Sequence, residues 1–266
     1  MRQSWSSGLT LTDTAIVKKV YFISDAHLGA RYITNKREHE MRLVNFLDSI
    51  KDDAAEVYLL GDILDYWYEY KNVVPRGHIR FLGKLAQLAD SGVKISWFTG
   101  NHDVWLFDYL ATEVGLKVFK GSTQLEIMGQ QFLLSHGDDV GYQKPMYRFT
   151  RWCFYNPVCQ WLYAGLHPRL TYPIATGWSQ QNRITRSKEE EDRVKEVCCD
   201  RLKEFSTQYA VAHPQVKHFV FGHIHLARQL QLDGNRTMTL LGDWIDQFTY
   251  ATFDGTLVEL HKLEEK

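Results

Sequence analysis

Short apolar runs, each bounded by polar segments, set the pattern of this chain. The runs are rich in β-branched and aromatic residues, a composition that predicts buried β-strands. The predicted strands lie at residues 17–24, 56–60, 93–98, 125–135 and 216–221. Residues 237–260 alternate between apolar and polar side chains, which predicts paired strands with a turn at Asp254-Gly255.

Apolar side chains recur at helical spacing between several of these runs. Residues 37–50 and 80–89 each predict an amphipathic helix that covers the sheet, and residues 189–205 predict a charged surface helix. The alternation of strand and helix favours an α/β fold. In such folds, ligands gather outside the carboxyl ends of the strands.

The polar segments at these strand ends carry the candidate chemistry. Seven side chains with oxygen or imidazole donors lie there in short loops that contain glycine: Asp25, His27, Asp62, Asn101, His136, His223 and His225. Any one of them could be structural, and Asn101 with His102 could form an ordinary turn after a strand. Because five strand ends supply the set, we favour convergence on one cleft.

This set of side chains indicates a metal site. Carboxylate, carboxamide and imidazole donors suit Mn, Fe, Co or Zn better than a site that selects thiolate ligands. Seven ligands are too many for one catalytic ion with an open position, so we expect two divalent ions bridged by a carboxylate, with Mn the first candidate. Two ions about 3.5–4 Å apart can clamp an in-line displacement at phosphorus.

His102 is adjacent to Asn101 and is not needed as a ligand. An imidazole beside the cleft can stabilise a phosphoryl transition state or protonate a leaving oxygen. Such a ring needs a partner that fixes its orientation, and we expect the carboxylate of Asp65 to be that partner.

The segment between residues 140 and 188 differs sharply in composition from the rest of the chain. It contains no Asp or Glu, has seven Lys or Arg residues and is rich in aromatic residues. We interpret residues 140–200 as an inserted helical lid that supplies an anion site with an apolar wall. A packed helix pair with a solvated basic face is the structural alternative.

Length, charge and cysteine usage narrow the class of protein. The chain has 266 residues and a formal net charge of −1, which fits one large domain and gives little reason to expect a nucleic-acid partner. The four cysteines form no zinc-type pair and indicate reduced thiols in the cytoplasm. We expect a flexible leader at residues 1–14 without a secretion signal, then one domain over residues 15–266. No stretch approaches the ~20 apolar residues of a membrane-spanning helix.

Five motifs, in order along the chain, resemble those of the calcineurin-like metallophosphoesterase family over about residues 17–260. They are Asp25-x-His27, Gly61-Asp62-x-x-Asp65, Gly100-Asn101-His102-Asp103, His136-Gly137-Asp138 and Gly222-His223-x-His225. The resemblance implies a double β-sandwich flanked by helices, and an Asp65–His102 pair beside the metals. It also implies the metal ligands: Asp25, His27, Asp62 and His225 for one ion, and Asp62, Asn101, His136 and His223 for the other.

Within that family, the chain is most similar to the diphosphatases that act on UDP-2,3-diacylglucosamine in lipid A biosynthesis. The similarity includes the overall length and the position of the insertion. It implies that the insertion contacts the substrate through Tyr147, Ser179, Asn182, Arg183 and Arg186. One position departs from the pattern, because those enzymes commonly have Arg where this chain has His102.

The predicted function is hydrolysis of the pyrophosphate bond of UDP-2,3-diacylglucosamine to UMP and 2,3-diacylglucosamine 1-phosphate by a two-metal enzyme. The basic, aromatic insertion also predicts peripheral contact with the anionic, cytoplasmic face of the inner membrane. His102 favours an alternative, a phosphatase or phosphodiesterase that acts on soluble phosphoesters or nucleotides. A non-catalytic scaffold would have lost ligands, and a nuclease would have a longer basic track.

Overall fold

The computed structural model describes residues 17–141, 145–184 and 187–264, apart from the side chains of residues 178–184. The predicted leader at residues 1–14 lies outside the described residues. The strands are β1 (Lys19–Ile23), β2 (Ala54–Leu60), β3 (Lys94–Phe98), β4 (Lys117–Phe119), β5 (Thr123–Ile127), β6 (Gln130–Ser135), β7 (Val216–Phe221), β8 (Ala227–Gln231), β9 (Thr237–Leu241), β10 (Thr249–Phe253) and β11 (Val258–Lys262). The helices are α1 (Lys36–Ser49), α2 (Ile79–Asp90), α3 (Tyr109–Glu113), α4 (Pro145–Tyr155), α5 (Pro157–Ala164), α6 (Pro168–Ile184) and α7 (Lys188–Ala212).

The strands form two sheets. The first has the order β11-β10-β1-β2-β3-β4, and its strands β1 to β4 run parallel. The second has the order β5-β6-β7-β9-β8, in which β6, β7 and β9 are parallel. Because parallel strands place their carboxyl ends at one edge, the loops after β1, β2, β3, β6 and β7 can meet there.

Alternation along each strand decides what packs between the layers. In β1, Val20 and Phe22 belong to the core between the two sheets, whereas Tyr21 and Ile23 belong to the core under α1 and α2. Phe22 stacks on Phe132 of the second sheet with ring centroids 5.8 Å apart. Burying each such ring contributes roughly 1.5–3 kcal/mol.

Helix α7 covers the other face of the second sheet. Its residues Cys199, Leu202 and Ala210 pack against Phe219 and Phe221 of β7. Two sheets thus face each other and carry helices on their outer faces, so the predicted α/β double sandwich is confirmed. All four cysteines are unbonded thiols.

One strand prediction was wrong in detail. The apolar run at residues 125–135 is two strands, β5 and β6, which form a hairpin around Met128 and Gly129. The turn is Met128-Gly129 and lacks the Asn-Gly or Asp-Gly signal of a two-residue hairpin, so the sequence did not reveal that the strand ends there. Strand β8, which is largely polar and at the edge of its sheet, had no apolar pattern to reveal it.

Helices α4, α5 and α6 occupy the segment in which the sequence predicts an insertion. They contact the core through an aromatic cluster in which Tyr66, Tyr68 and Trp105 pack against Phe154 and Tyr163. The Tyr66 and Tyr163 hydroxyls lie 3.0 Å apart, and Trp105 Nε1 donates to the Phe154 carbonyl at 3.0 Å. The segment is therefore held against the loops that follow β2 and β3.

The outer surface of these helices is strongly apolar. Among the side chains that the structure describes in α4–α6 and their connections, ten large apolar or aromatic ones are exposed: Met146, Phe149, Trp152, Val158, Trp161, Leu162, Leu166, Leu170, Tyr172 and Ile174. Across the described part of the chain, no helix combines the length and apolar character required to cross a bilayer.

Candidate metal centre

The strand-end loops turn sharply into the cleft through an unusual backbone conformation. Five of the seven candidate ligands have positive φ without being glycine: Asp25 at 54°, His27 at 45°, Asp62 at 53°, His223 at 70° and His225 at 50°. The left-handed region costs a non-glycine residue on the order of 1–3 kcal/mol. Packing elsewhere maintains this strain, which orients the side chains of several loops towards one place.

Two glycines allow these loops to approach each other closely. A Cβ atom on Gly100 would overlap the carboxylate of Asp62, and one on Gly222 would overlap Ser24 and Asp25. The glycines in the motifs therefore have a steric purpose, which is to let one loop's backbone touch another loop's carboxylate.

A first cluster of donors comprises Asp25, His27 and His225, whose ligand atoms all lie within 4.8 Å of one another. His225 Nε2 is 3.3 Å from Asp25 Oδ1, and His27 Nε2 is 3.8 Å from the same oxygen. The other carboxylate oxygen of Asp25 accepts the backbone N–H of His223 at 2.8 Å. Oδ1 is thus the oxygen that faces the imidazoles.

A second cluster comprises Asp62, His136 and His223, again with ligand atoms within 4.8 Å of one another. Oδ2 of Asp62 lies 3.3 Å from His136 Nε2 and 3.7 Å from His27 Nε2, so one oxygen faces imidazoles of both clusters. Oδ1 of Asp62 accepts the backbone N–H of His102 at 2.8 Å.

The unsatisfied atoms at this centre fit metal ions. Asp25 Oδ1, Asn101 Oδ1 and His136 Nε2 are buried and form no hydrogen bond with any residue in the described ranges. A buried polar atom without a partner is costly, and native structures rarely keep one without a reason. Carboxylate, carboxamide and imidazole donors suit divalent Mn, Fe, Co or Zn, so the residues present fit divalent ions.

Hydrogen bonds on the far side of the imidazoles fix which nitrogen faces the cleft. His136 Nδ1 lies 2.8 Å from the Leu60 carbonyl, which can only accept, so the neutral ring carries its hydrogen on Nδ1. His27 Nδ1 and His225 Nδ1 face carboxylates of Asp65 and Asp243, at 3.2 Å and 3.4 Å. Each Nε2 is thereby left with its lone pair directed to the centre.

The charges of the clusters favour a cation between them. Burial alone would raise the pKa of Asp62, but the imidazoles of His136 and His102 outweigh it and lower that pKa well below its usual value. Burial alone would lower the pKa of His136, but Asp62 and Asp25 raise it well above its usual value. The carboxylates therefore stabilise positive charge at this position. A divalent ion carries more positive charge than a protonated imidazole.

Two aspartates that support the centre, Asp243 and Asp103, were assigned no role by the sequence analysis. Asp243 orients His225 and follows Gly242 directly after β9, the same Gly-Asp signal that marks Gly61-Asp62. Asp103 is fully buried and accepts the backbone N–H groups of Gly100 at 2.7 Å and Ile63 at 3.0 Å, and the Trp97 indole N–H at 3.1 Å. Its carboxylate ties the loop after β3 to the loop after β2.

The predicted pair of Asp65 and His102 is in contact, but chiefly through the backbone. His102 Nδ1 lies 3.1 Å from the Asp65 carbonyl oxygen and 3.6 Å from its carboxylate. The carboxylate lies closer to His27 Nδ1, at 3.2 Å. Asp65 therefore contacts two histidines: its backbone carbonyl contacts His102 and its carboxylate contacts His27. Burial lowers the pKa of His102, against the opposing effect of the Asp62 and Asp65 carboxylates.

Comparisons with known proteins agree with this geometry. The sequence profile of the family described as Calcineurin-like phosphoesterase matches residues 18–227. The chain belongs to this family. The predicted family, and with it the prediction of a metal-dependent hydrolase, is confirmed.

Curated relatives of this calcineurin-like phosphoesterase match it over most of its length. A protein of Porphyromonas gingivalis named UDP-2,3-diacylglucosamine hydrolase is 39% identical over 257 residues, which cover 93% of this chain and 98% of the relative. A protein of the same name from Edwardsiella ictaluri is 29% identical and covers 91% of both chains. Another, from Actinobacillus succinogenes, is 27% identical over 85% of this chain and 92% of its own.

Four of the five candidate substrate residues of this phosphoesterase belong to the inserted helices α4 and α6. Tyr147 in α4 donates its hydroxyl hydrogen to Asp138 at 3.0 Å, and Asp138 is two residues after His136. Ser179, Asn182 and Arg183 belong to α6, but their side chains lie outside the described part of the structure. Arg186 lies outside the described residues altogether.

Proposed function

We propose that this phosphoesterase hydrolyses the pyrophosphate bond of UDP-2,3-diacylglucosamine and releases UMP and 2,3-diacylglucosamine 1-phosphate. The observation that carries the proposal is the relative of Porphyromonas gingivalis, which is 39% identical across 93% of this chain, including the inserted helices. The metal centre and the large apolar surface of the insertion suit a phosphoric anhydride that carries acyl chains.

In this proposal two divalent ions, with manganese the first candidate, occupy the centre. Asp25, His27, Asp62 and His225 would hold one, and Asp62, Asn101, His136 and His223 the other. The position of Asp62 Oδ2 between His27 and His136 supports a bridging role for this carboxylate. When bound, such ions lower the pKa of water and act as Lewis acids towards phosphoryl oxygens.

His102 is suited to assist at the phosphoryl group. Because the Asp65 carbonyl accepts from Nδ1 at 3.1 Å, the proton that the ring gains or gives is at Nε2. Nε2 lies 3.8 Å from Asp62 Oδ2, beside the proposed metals, and the side chain is 21% exposed to the cleft. The imidazolium form would donate to a phosphoryl or leaving oxygen in the transition state.

The inserted helices would hold the remainder of the substrate. We assign the sugar and diphosphate to Tyr147, Ser179, Asn182, Arg183 and Arg186, and the acyl chains to the apolar surface of α4–α6. The same surface would rest on the anionic, cytoplasmic face of the inner membrane. Burial of an acyl chain contributes about 0.8 kcal/mol per methylene group, so a lid with this composition has a physical purpose.

Product analysis tests the proposal directly. The manganese-loaded protein is incubated with UDP-2,3-diacylglucosamine and, separately, with soluble phosphodiesters and nucleotides, and the products are identified by mass spectrometry. Release of UMP and a lipid monophosphate is the expected result. Hydrolysis of the soluble esters alone would favour the second candidate, a phosphodiesterase of soluble substrates, to which His102 gives some support.

The Asp62→Ala variant tests the two-metal centre. Loss of the carboxylate that faces both clusters should remove bound metal and lower turnover by at least about a hundredfold. Metal content by mass spectrometry, turnover and circular dichroism are compared with those of Asp90→Ala, which removes an exposed carboxylate from the end of α2. Undiminished turnover after loss of the metal would exclude this mechanism.

A further inference from the structure

An open groove lies beside the metal centre and has no role in the proposed chemistry so far. It has a volume of about 390 Å³ and is lined by Lys120, Arg148, Arg151, Trp152 and Tyr155. Three of its lining residues are cations and two are aromatic. The three cations set the groove apart from the rest of the apolar outer surface of the inserted helices, on which Trp152 is also exposed.

Two contacts place the groove next to the loops of the second cluster. The Tyr155 hydroxyl lies 3.1 Å from Thr99 Oγ1, and Thr99 is followed by Gly100 and Asn101. Arg151 forms an ion pair with Asp138 in the loop that begins at His136. The groove therefore adjoins the two loops that carry Asn101 and His136.

Not all the charge in the groove is used by the fold. Arg151 is neutralised by Asp138, and its guanidinium lies 4.6 Å from the centre of the Tyr155 ring, so it forms part of the wall. Lys120 and Arg148 are exposed and form no ion pair with a carboxylate in the described ranges. Two cations are thus available for a phosphate.

The aromatic side of the groove offers a stacking surface. Trp152 is 58% exposed, although an indole of this size is usually covered in a folded protein. Phe149 stacks against Trp152 with ring centroids 6.1 Å apart and an interplanar angle of 22°, which supports one side of the indole. Any nucleobase can stack on such a ring, because stacking does not depend on the hydrogen-bonding groups of the base.

We propose that this groove binds the nucleoside 5′-phosphate half of the substrate, with Trp152 stacking on the base and Arg148 and Lys120 binding the phosphate and ribose. The proposal rests on the proposed function, which supplies the nucleotide. It assigns the nucleotide to the groove at α4 and the end of β4, and leaves the acyl chains to the rest of the exposed apolar surface of the insertion.

Two pairs of variants test the assignment in the full-length, manganese-loaded protein. Binding of UMP and of ribose 5-phosphate is measured by calorimetry for wild type, Arg148→Gln and Trp152→Ala. Arg169→Gln is the matched control, because it removes an exposed arginine of α6 that does not line the groove. Trp152→Phe is the conservative partner that keeps an aromatic ring.

The expected pattern separates the base from the phosphate. Wild type should bind UMP about tenfold more tightly than ribose 5-phosphate, a preference that Trp152→Ala loses and Trp152→Phe keeps. Arg148→Gln should weaken both ligands by roughly fivefold, and Arg169→Gln neither. If Trp152→Ala keeps the full preference for UMP, or Arg148→Gln binds both ligands as wild type does, the groove is not the nucleotide site.

This experiment fails independently of the proposed function, because it measures binding of UMP and not turnover of a lipid. If the variants bind UMP more weakly but the protein does not hydrolyse UDP-2,3-diacylglucosamine, the groove is supported as the nucleotide site and the lipid substrate is rejected. If hydrolysis is normal and both variants bind UMP as wild type does, the proposed function is supported and the assignment of the nucleotide to the groove is rejected.

Discussion

At the scale of single residues, two kinds of carboxylate build the centre. Some face the cleft, and others accept hydrogen bonds from backbone N–H groups and so position the loops. Asp103 is not one of the candidate ligands, yet its two oxygens accept N–H groups from Gly100, Ile63 and Trp97. It also accepts from the backbone of Asp62 at 3.2 Å. We assign Asp103 as a positioning residue that sets where the Asp62 carboxylate lies.

Asp103→Asn tests this role. The amide replaces one accepting oxygen by a donor that faces other N–H groups, so we expect a loss of about 2–4 kcal/mol in the free energy of unfolding. Affinity for manganese should also fall, by roughly 10–100-fold, because Asp62 is no longer held. Urea unfolding and metal titration measure the two effects, with the exposed Asp108→Asn as control. Lower stability with unaltered metal affinity would limit Asp103 to a structural role.

The sequence identified the candidate ligands better than their supports. Asp25, Asp62 and His136 follow apolar strands directly, so their place at one edge of a parallel sheet could be predicted. Asp243 follows a strand in the same way, but its role and that of Asp103 depend on backbone groups and rings that only folding brings to them. The same holds for the contact of His102 with the Asp65 carbonyl.

At the scale of elements, strands buried on both faces were the most predictable. β1, β2, β3 and β7 are mostly apolar because one face contacts the other sheet and the opposite face contacts helices. The β5–β6 hairpin was misread as one strand. Its turn has positive φ at both Met128, 45°, and Gly129, 77°, a conformation that normally selects Asn or Gly at the first position.

The strain at this turn predicts a stabilising substitution. Met128→Asn should raise the free energy of unfolding by about 0.5–1 kcal/mol, because Asn tolerates the left-handed region and Met128 is 42% exposed. Midpoints of urea unfolding provide the measurement. Met128→Ala is the matched control, since it removes the same side chain and retains the strain. An equal gain in both variants would show that removal of the exposed methionine, and not the backbone, is responsible.

Strand β7 also contributes a pH-sensitive contact between strands. His218 is buried and lies 2.8 Å from both Thr237 Oγ1 of β9 and Gln130 Oε1 of β6. Burial and the charge of Lys217 lower its pKa to about 4. An unfolded histidine titrates near ~6.5, so the unfolded chain binds more protons between these values and stability falls as the pH drops through that window.

We therefore expect wild type to melt on the order of 5 °C lower at pH 5 than at pH 7.5 through this residue alone. His218→Gln, which keeps a neutral side chain with hydrogen-bonding groups, should show a flatter dependence of melting temperature on pH. The comparison uses the slope and not the absolute stability, because the variant loses packing at every pH. Parallel slopes for the two proteins would rule out His218 as the source.

At the scale of the whole molecule, the apolar surface of α4–α6 is the feature least suited to water. Trp161 is 73% exposed and Leu162 57%, beside other exposed apolar residues of the same helices. A surface of this kind usually marks a binding face. In the proposed function, that face contacts the bilayer in which the substrate is dissolved.

Vesicle sedimentation tests the contact. The double variant Trp161→Ser with Leu162→Ser should bind anionic phosphatidylglycerol vesicles at least about tenfold more weakly than wild type, because two apolar side chains no longer enter the interface. Val211→Ser is the matched control, since Val211 is 80% exposed at the end of α7 and outside the insertion. Equal partitioning of all three proteins would remove the membrane from the proposal.

The sequence by itself determined the family, the layered α/β architecture and the seven candidate ligands. The alternation of strands and helices, the position of residues at strand ends and the chemistry of the side chains all follow from residues that are near one another in the chain. The tertiary structure decided which atom of each residue matters. Packing between segments far apart in sequence produced three features of the site. The Asp62 carboxylate faces imidazoles of both clusters, Asp103 connects two loops, and a basic, aromatic groove adjoins the centre. No local pattern encodes such distances.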